Sequence, residues 1–561
     1  MIPGITHWDL LGIEKPSRYV GGEVNQALRK PDAALTVCLA FPDIYELGMS
    51  NIAIKILYEI LNLNPLISVE RVFSPWIDFE SLLRKKNISL SSLESKTPIG
   101  EFDILGITLP YEMTFTNVLN LLNLGKIPLH GNLRKGFPLI IGGGPSASNP
   151  LPLSNFFDAI LIGEGEEAFP QLCSLVINAK KEKAAKQDIL KEIRHIEGFW
   201  VPTFPGPVRR RVFKGFATTP PPLKPPIPLI DAIHNRAPIE IFRGCIQGCR
   251  FCHAGFFYRP KRERKLEDLA IWGKELLKNT GDETLGLVSL STSDYSDLNN
   301  LIAKLECEKV FPDQTLSIPS LRMNDKTIGL LNASPHIKKG GLTFAPEAGS
   351  QRLRDIIHKR ITEDEILNVV MATKESCYRT VKLYFMIGLP FENDSDIDAI
   401  PDLIYRIEDA VRRNKLRKDL SISLSGFVPK PFTPFQWCPQ IDSELLRERR
   451  ARICQALKKS RAKISWRDEF LCLLEGVISR GDEKVGRLIQ TVYDKGSRFD
   501  GWSDQFHPHL WKEAFQEIQL DPRLYTRERD IAETLPWHFV DFQVPNAFFE
   551  AEYRKAAKIA G

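Results

Sequence analysis

Short apolar runs and amphipathic segments alternate along the first 200 residues. Apolar runs predict strands, and a 3.6-residue spacing of apolar positions predicts helices. The predicted strands are 35–41, 68–73, 102–109, 138–141 and 158–162, and the predicted helices are 50–61 and 116–124. Strands that are apolar throughout are typical of a parallel sheet covered on both faces. Residues 1–200 are therefore predicted to form a doubly wound α/β domain.

Residues 201–235 interrupt this alternation. Nine prolines lie between positions 201 and 230. Proline removes a backbone donor and breaks helices and central strands. The segment is predicted to be a semi-rigid linker between two domains.

A second strand–helix series occupies residues 236–440. Its predicted strands are 239–243, 285–290, 315–318, 341–345, 381–387 and 420–427, and its predicted helices are 264–278, 294–306, 349–357, 363–375 and 394–413. Six such units predict a parallel barrel or part of one. In barrels of this kind ligands bind at the C-terminal ends of the strands.

The pattern changes again over residues 441–561. Helices are predicted at 443–475, 482–495 and 509–517, followed by a tail rich in aromatic residues. Most of these aromatic side chains, among them Trp537 and Phe549, are expected in a core. This part is predicted to be a mostly helical C-terminal domain.

Composition excludes few classes of function. The chain has 561 residues, of which 43% are hydrophobic and 26% charged, as in ordinary globular proteins. No apolar run approaches the roughly 20 residues of a membrane span, and the first residues lack the features of a signal peptide. We expect a cytoplasmic protein that does not enter a membrane. The net charge of +5 permits a nucleic-acid partner without indicating one.

Three of the ten cysteines lie together, at Cys245, Cys249 and Cys252. This C-x3-C-x2-C loop follows the first strand of the second series. Thiolates are the ligands that iron–sulfur clusters need. Three of them hold three corners of a [4Fe–4S] cubane and leave one iron open, while Gly244 and Gly248 let the backbone wrap closely.

Two other interpretations of these cysteines are weaker. A structural zinc ion requires four ligands, which usually occur as closely spaced pairs in the sequence. His253, directly after Cys252, is poorly placed to share the same ion, and no second C-x2-C occurs in the sequence. Three unrelated buried cysteines are the other alternative. The spacing favours the cluster.

The loop resembles that of the radical S-adenosylmethionine (SAM) superfamily, over about residues 236–440. The resemblance implies a partial (βα)6 barrel. It implies that the open iron binds SAM, and that an electron from a donor of the flavodoxin or ferredoxin type cleaves SAM to methionine and a 5′-deoxyadenosyl radical. Phe251 matches the aromatic position that lies near the adenine in the family.

Further segments resemble the branch of this superfamily that carries N-terminal cobalamin-binding domains. Glu347, Ser350 and Arg352 follow the fourth strand, where the resemblance implies contacts to SAM, and Gly388 matches an adenine-contacting glycine. The alternative for Gly388 is a simple turn, with Glu392 beginning a helix. The second strand lacks the family's Gly-Gly-Glu. Its hydroxyls, at Ser291 and Ser293, are candidates to replace that contact.

The N-terminal domain is similar to the cobalamin-binding domains of that branch. Gly142, Gly143 and Gly144 resemble the glycine turn that admits a corrin or a nucleotide, and residues 163–166 (Gly-Glu-Gly-Glu) match a second turn. The loop over 43–48 lacks the histidine that often binds cobalt. The sequence leaves open whether cobalamin binds without it. With only two cysteines, this domain is not expected to hold a second cluster.

Residues 258–265 carry five basic side chains near the expected site. They are a candidate RNA-binding segment. The alternative is a solvated loop before a helix. The run 429–437 is expected to close the barrel rim or the substrate pocket. The predicted function is a radical SAM enzyme that acts on a large substrate, with RNA and methyl transfer as candidates. The alternative is a non-catalytic iron–sulfur or zinc protein that binds nucleic acid.

Overall fold

A computed structural model gives the fold. It describes residues 2–308, 310, 315–331, 336–337, 341–373 and 378–561. The last two residues of the helix predicted over 363–375, and the single cysteine at position 377, lie outside this set. Among the described helices, none has both the length and the apolar character that crossing a membrane requires.

The N-terminal domain is built on a six-stranded sheet of order β2-β1-β3-β4-β5-β6. Its strands are β1 (Leu35–Phe41), β2 (Ile67–Phe73), β3 (Ile104–Thr108), β4 (Leu139–Gly143), β5 (Ala159–Leu161) and β6 (Phe199–Trp200). The first five strands are parallel, and β6 pairs antiparallel with β5. All five predicted strands are confirmed.

Helices cover both faces of this sheet. They are α1 (His7–Leu11), α2 (Ser17–Val20), α3 (Tyr45–Gly48), α4 (Ile52–Asn62), α5 (Ile77–Lys86), α6 (Phe115–Leu124), α7 (Gly165–Lys181) and α8 (Lys186–Ile193). One core contains side chains of α5 and α6, and a separate core contains side chains of α4, α7 and α8. Successive strand residues alternate between these cores, so the doubly wound prediction is confirmed.

The proline-rich segment packs against other parts of the chain. Strand β7 (Val208–Arg209) pairs in parallel with residues 540–541 near the C-terminus. The backbone N–H groups of Leu223 and Lys224 both donate to the carboxylate of Glu59 at 3.0 Å. These contacts fix the segment against the C-terminal region and the N-terminal domain and explain how a proline-rich chain stays ordered.

The central domain contains parallel strands in two sheets, of order β12-β11-β8 and β13-β14-β15-β16. Its elements up to residue 440 are β8 (Ala237–Glu240), β9 (Phe242–Arg243), α9 (His253–Phe257), β10 (Arg262–Glu263), α10 (Leu266–Thr280), β11 (Thr284–Val288), α11 (Leu298–Cys307), β12 (Thr315–Ser317), α12 (Asp325–Leu331), β13 (Gly341–Glu347), α13 (Gln351–Ile356), α14 (Glu363–Ala372), β14 (Thr380–Ile387), α15 (Asp394–Arg413) and β15 (Asp419–Gly426). All six predicted strand positions are strands.

A seventh parallel strand lies beyond the predicted domain limit at residue 440. The helix predicted over 443–475 is wrong in its middle: α16 (Ser443–Ala456) ends, β16 (Lys463–Trp466) pairs with β15, and α17 (Glu469–Ser479) follows. The strand Lys-Ile-Ser-Trp is exposed at most positions. It therefore lacks the apolar run by which a buried strand is recognised.

The remaining elements bind the two α/β domains together. They are α18 (Glu483–Asp494), α19 (Pro508–Glu517), α20 (Arg523–Thr526), β17 (Val540–Asp541) and α21 (Asn546–Ala560). Trp537 and Phe549 are buried as predicted. In the run 429–437, the ring of Phe432 stacks on Phe542 at 4.0 Å, and the half-buried Lys430 binds Glu112 and Glu475. The run is thus a contact between domains.

Candidate functional site

The three clustered cysteines lie on the loop between β9 and α9. All three thiols are free and half-buried. Gly244 (φ +91°) begins the loop, and an added Cβ there would lie 2.7 Å from the carbonyl oxygens of Tyr258 and Pro260. Only glycine fits this close approach. Burial raises the pKa of each thiol, that of Cys252 to about 12, so thiolates at these positions need positive charge beside them.

Neighbouring elements hold this loop at several points. The guanidinium of Arg250 donates to the carbonyl of Ile356 at 2.6 Å and pairs with Glu552 of α21 at 3.1 Å. The ring nitrogen Nδ1 of His358 lies 3.1 Å from the carbonyl oxygen of Gly248. The end of α13 and the C-terminal helix therefore fix the conformation of the cysteine loop.

The half-buried ion pair of Lys359 and Glu347, at 3.1 Å, lies close enough to Cys249 to influence the pKa of its thiol. Burial raises the pKa of Glu347, and the Lys359 ammonium opposes that shift. Glu347 also has a positive φ of 70°, which is uncommon outside glycine and accompanies functional sites. Phe251 packs in the same apolar cluster as Ala348 and Leu389, so the loop, the end of β13 and the end of β14 meet.

Ser350 and Arg352 are engaged within the fold. The Ser350 hydroxyl caps α13 by accepting from the Leu353 N–H at 3.1 Å, and it donates to Asp396 at 2.5 Å. Arg352 binds the other oxygen of Asp396 at 2.9 Å. Both side chains thus tie α13 to α15. Their predicted contact with SAM stays a prediction.

Gly388 occupies a tight turn after β14. Its φ is +82°, and an added Cβ would lie 2.4 Å from Ile441. The Gly388 N–H donates to the Glu392 carboxylate at 2.8 Å, and Arg449 pairs with the same carboxylate at 2.7 Å. Burial raises the pKa of Glu392 to about 7. The turn geometry accounts for both residues, and an adenine contact stays a prediction.

The hydroxyl residues after β11 lie against the cysteine loop. Gln247 donates from its side-chain amide to the carboxylate of Asp294 at 2.8 Å. The Ser293 hydroxyl accepts from the backbone N–H of Arg322 at 3.2 Å. The Ser291 hydroxyl is buried and makes no hydrogen bond to a described residue. A buried polar atom without a partner is a feature expected where a ligand completes the site.

A cavity of about 520 Å³ separates the N-terminal sheet from the start of the central domain. Gly142, Gly143 and Gly144 line it together with residues 163–166, and Gly244 of the cysteine loop lines its other side. At Gly144 (φ +131°) an added Cβ would lie 2.7 Å from the Leu109 carbonyl, whereas at Gly143 it would make ordinary contacts of 3.6 Å with Leu161. The glycine turns thus leave room for a flat, bulky ligand beside the cysteines.

A buried charge network joins the two sides of this cavity. Arg243, directly before the cysteine loop, binds Glu166 at 2.6 Å and Glu240 at 2.8 Å, and lies 3.4 Å from Glu164. Arg262 binds Glu164 through both guanidinium nitrogens, at 2.6 and 2.7 Å. The second glycine turn of the N-terminal domain is therefore fastened to the first strand of the central domain. Sequence reasoning missed this network, because its members are far apart in the chain.

One sequence interpretation changes at this point, and a loop of the N-terminal domain gains a structural role. The basic segment 258–265 is neither a solvated loop nor a free cationic surface: Arg262 binds Glu164, Arg264 donates to the Thr219 carbonyl, and Lys261 pairs with Glu263 and donates to the Asp294 carbonyl. In the loop after β1, the buried Asp43 accepts from the Tyr111 hydroxyl and the Trp502 indole. That carboxylate fastens the C-terminal domain to the sheet.

No three described His, Cys, Asp or Glu side chains are arranged to hold a single metal ion. The thiols of a cubane bind separate irons and need not converge on one point. The half-buried free thiols, the close glycine turn and the nearby cation of Lys359 fit such a cluster.

Two protein families match the chain. Residues 239–404 match the radical SAM superfamily, and residues 53–202 match the N-terminal domain of radical SAM proteins. An uncharacterized protein of Methanocaldococcus jannaschii is 28% identical over 461 residues, which are 81% of this chain and 90% of that protein.

Solved structures are similar in fold. The radical SAM methyltransferase TsrM of Kitasatospora setae, solved with cobalamin and a [4Fe–4S] cluster bound, is 15% identical over 72% of this chain and 74% of its own, with a TM-score of 0.50. The cobalamin-dependent radical SAM enzyme OxsB, with aqua-cobalamin bound, is 12% identical over 88% of this chain and 72% of its own, with a TM-score of 0.49. The TsrM match supports the α/β architecture.

Proposed function

Because this chain is a radical SAM superfamily enzyme whose N-terminal domain matches that of radical SAM proteins, we propose that Cys245, Cys249 and Cys252 hold its [4Fe–4S] cluster. Enzymes of this superfamily use that cluster and SAM, and they need a reductant. When bound, the cluster supplies the electron that cleaves SAM to methionine and a 5′-deoxyadenosyl radical. The observation that carries the proposal is the position of three free thiols on one tightly held loop beside a large cavity.

The protein's own side chains have three tasks in this proposal. Lys359 offsets the negative charge that collects at the cysteine loop and orients Glu347. The Ser291 hydroxyl, which has no hydrogen-bond partner among the described residues, is available to a polar group of SAM. Phe251 contributes an apolar surface next to Leu389, suited to the face of an adenine.

The cavity beside the loop is proposed to bind cobalamin, which supplies methyl-transfer chemistry when bound. Three observations support this: the glycine turns that leave space for a corrin, the apolar lining, and the cobalamin bound in the TsrM structure. The loop at 43–48 offers no histidine. Binding without a protein ligand to cobalt is therefore part of the proposal. The electron donor is proposed to be of the flavodoxin or ferredoxin type.

Anaerobic reconstitution tests the proposal. The full-length protein is incubated with iron and sulfide, and iron, sulfide and zinc are counted per chain. The proposal predicts about four irons per chain after reconstitution. It also predicts that 5′-deoxyadenosine forms when dithionite and SAM are added. One zinc per chain without iron would support the alternative of a zinc protein. A full cluster without 5′-deoxyadenosine would contradict SAM cleavage.

A further inference from the structure

The sheet β13-β14-β15-β16 carries a concentration of positive charge at the N-terminal ends of β15 and β16. The cysteine loop, in contrast, follows the C-terminal end of β9. Two neighbouring segments carry this charge: 408–419, from the end of α15 to the first residue of β15, and 457–463, before and into β16. Their outward cations, which we call the basic edge, are Arg412, Arg413, Lys415, Arg417, Lys458, Lys459, Arg461 and Lys463, all exposed. The same segments contain only three acids, Glu408, Asp409 and Asp419, so positive charge is in clear excess.

Contacts in the structure hold the two segments side by side. Ser421 of β15 is in register with Lys463 of β16, so the segments that precede these strands are adjacent. Glu408 accepts from the Ser460 hydroxyl at 2.7 Å and from the Arg461 N–H at 2.9 Å, and the Tyr405 hydroxyl donates to the Ala456 carbonyl. The basic edge is therefore a fixed surface of the fold.

Most of these charges are unneutralised. Arg412 and Arg413 share the carboxylate of Asp409. The side chains of the other six cations make no ion pair with any residue in the described part of the chain. This differs from the basic segment 258–265, in which Lys261, Arg262 and Arg264 are bound within the fold.

One alternative is that the lysines protect an exposed sheet edge. Charged residues on an edge strand prevent pairing with other chains. Lys463 fits that role because it lies on β16, at the end of its sheet. The other seven cations precede the strands and do not protect an edge. Protection therefore explains one cation of the eight.

An aromatic residue extends the surface toward the C-terminal end of β16. Trp466 is 53% exposed, and the guanidinium of Arg450 lies 4.9 Å from the centre of its ring. Exposed aromatic rings beside rows of cations are typical of surfaces that bind single-stranded nucleic acids, in which bases stack and phosphates pair. A membrane-binding surface would instead present a broad apolar face.

We propose that the basic edge, together with Trp466, is a docking site for single-stranded nucleic acid. Trp466, in register with Leu424, lies nearer the C-terminal ends of the strands. The basic edge lies at their N-terminal ends, about 25 Å along β15 from the opposite end of that strand. It thus holds a remote part of a polynucleotide and takes no part in the chemistry. The proposal is independent of SAM cleavage.

The test is fluorescence anisotropy with labelled U20 RNA and dT20 DNA, using the reconstituted full-length protein at 50 to 200 mM salt. One variant carries Lys458→Gln, Lys459→Gln, Arg461→Gln and Lys463→Gln. We expect at least tenfold weaker binding and a salt-dependence slope reduced by about 3, since each phosphate contact to a single strand contributes about 0.7. A preference for either oligomer identifies RNA or DNA as the ligand.

The matched control removes the same charge elsewhere: Lys85→Gln, Lys181→Gln, Lys183→Gln and Arg194→Gln, all at exposed positions of the N-terminal domain. It should bind within about twofold of the wild type. Trp466→Ala should weaken binding about fivefold or more without changing the slope, because stacking is insensitive to salt. Circular dichroism and 5′-deoxyadenosine formation, measured on each preparation, should not change.

Three results would overturn the proposal. They are absence of binding to both oligomers by the wild type, an equal loss in the control variant, and binding to phosphatidylserine vesicles or to an acidic protein in place of the oligomers. None of them bears on SAM cleavage. Conversely, absence of 5′-deoxyadenosine together with normal oligonucleotide binding would contradict the proposed function alone.

Discussion

The cysteine loop and the glycine turns face each other across one cavity, but they specify ligands in different ways. The loop presents functional groups, three thiols on a backbone that Arg250 and His358 fix in place. The turns instead leave space, because Gly142, Gly143 and Gly144 line the cavity without side chains. Thiols at a fixed spacing restrict the ligand to a metal centre, whereas glycines restrict only the size and closeness of what binds. The cysteines therefore specify their ligand more narrowly than the glycine turns specify theirs.

The largest effect is expected from the loop. Replacement of all three cysteines, Cys245→Ala, Cys249→Ala and Cys252→Ala, should abolish iron and sulfide binding and lower 5′-deoxyadenosine formation at least 100-fold. Cobalamin binding should remain, because the glycine turns are unchanged. Cys173→Ala is the matched control, since this buried thiol lies in a core of the N-terminal domain, away from the cysteine loop. Full iron content in the triple variant would show that the ligands are elsewhere.

The next largest effect is expected on stability, from the buried charge network around Arg243 that joins the two sides of the cavity. Arg243→Met leaves Glu164, Glu166 and Glu240 without a shared cation, and an uncompensated buried charge costs roughly 3 to 5 kcal/mol. The free energy of unfolding, measured by urea titration, should fall by about that amount. Arg209→Met, at an exposed pair with Asp541, should cost less than about 1 kcal/mol. Equal losses in both variants would mean that the network is not a major contact.

The glycine turns predict a smaller and more selective effect. Gly143→Leu places a side chain at the cavity without a close backbone contact. Cobalamin affinity, followed by corrin absorption, should fall at least tenfold while iron content stays constant. Gly136→Leu, where an added Cβ meets nothing within 4 Å, controls for the substitution itself. Unchanged cobalamin affinity in Gly143→Leu would show that cobalamin does not bind in this cavity.

The smallest effect is expected at the end of β11. Ser291→Ala removes a buried hydroxyl that has no described partner, so stability should not fall, whereas the KM for SAM should rise a few-fold. Ser293→Ala removes an acceptor for the Arg322 N–H and should cost about 1 kcal/mol of stability. A stability loss at Ser291 with no change in KM would assign that hydroxyl to the fold.

Local features were predictable from the sequence, and contacts between distant residues were not. Strand β1 is found where its apolar run predicts it, at 35–41, because a strand buried on both faces carries a continuous signal. The exposed strand β16 has no such signal. The cysteine spacing is visible within eight residues, whereas Arg243 and Glu166 are 77 positions apart and meet only in the folded chain.

The most direct test of the central claim is electron paramagnetic resonance of the reduced, reconstituted protein before and after addition of SAM. An open iron that binds SAM changes its coordination, and the spectrum of the reduced cluster should change with it. The account predicts a new signal that saturates near one SAM per cluster. A [4Fe–4S] spectrum that stays unchanged at saturating SAM would contradict it.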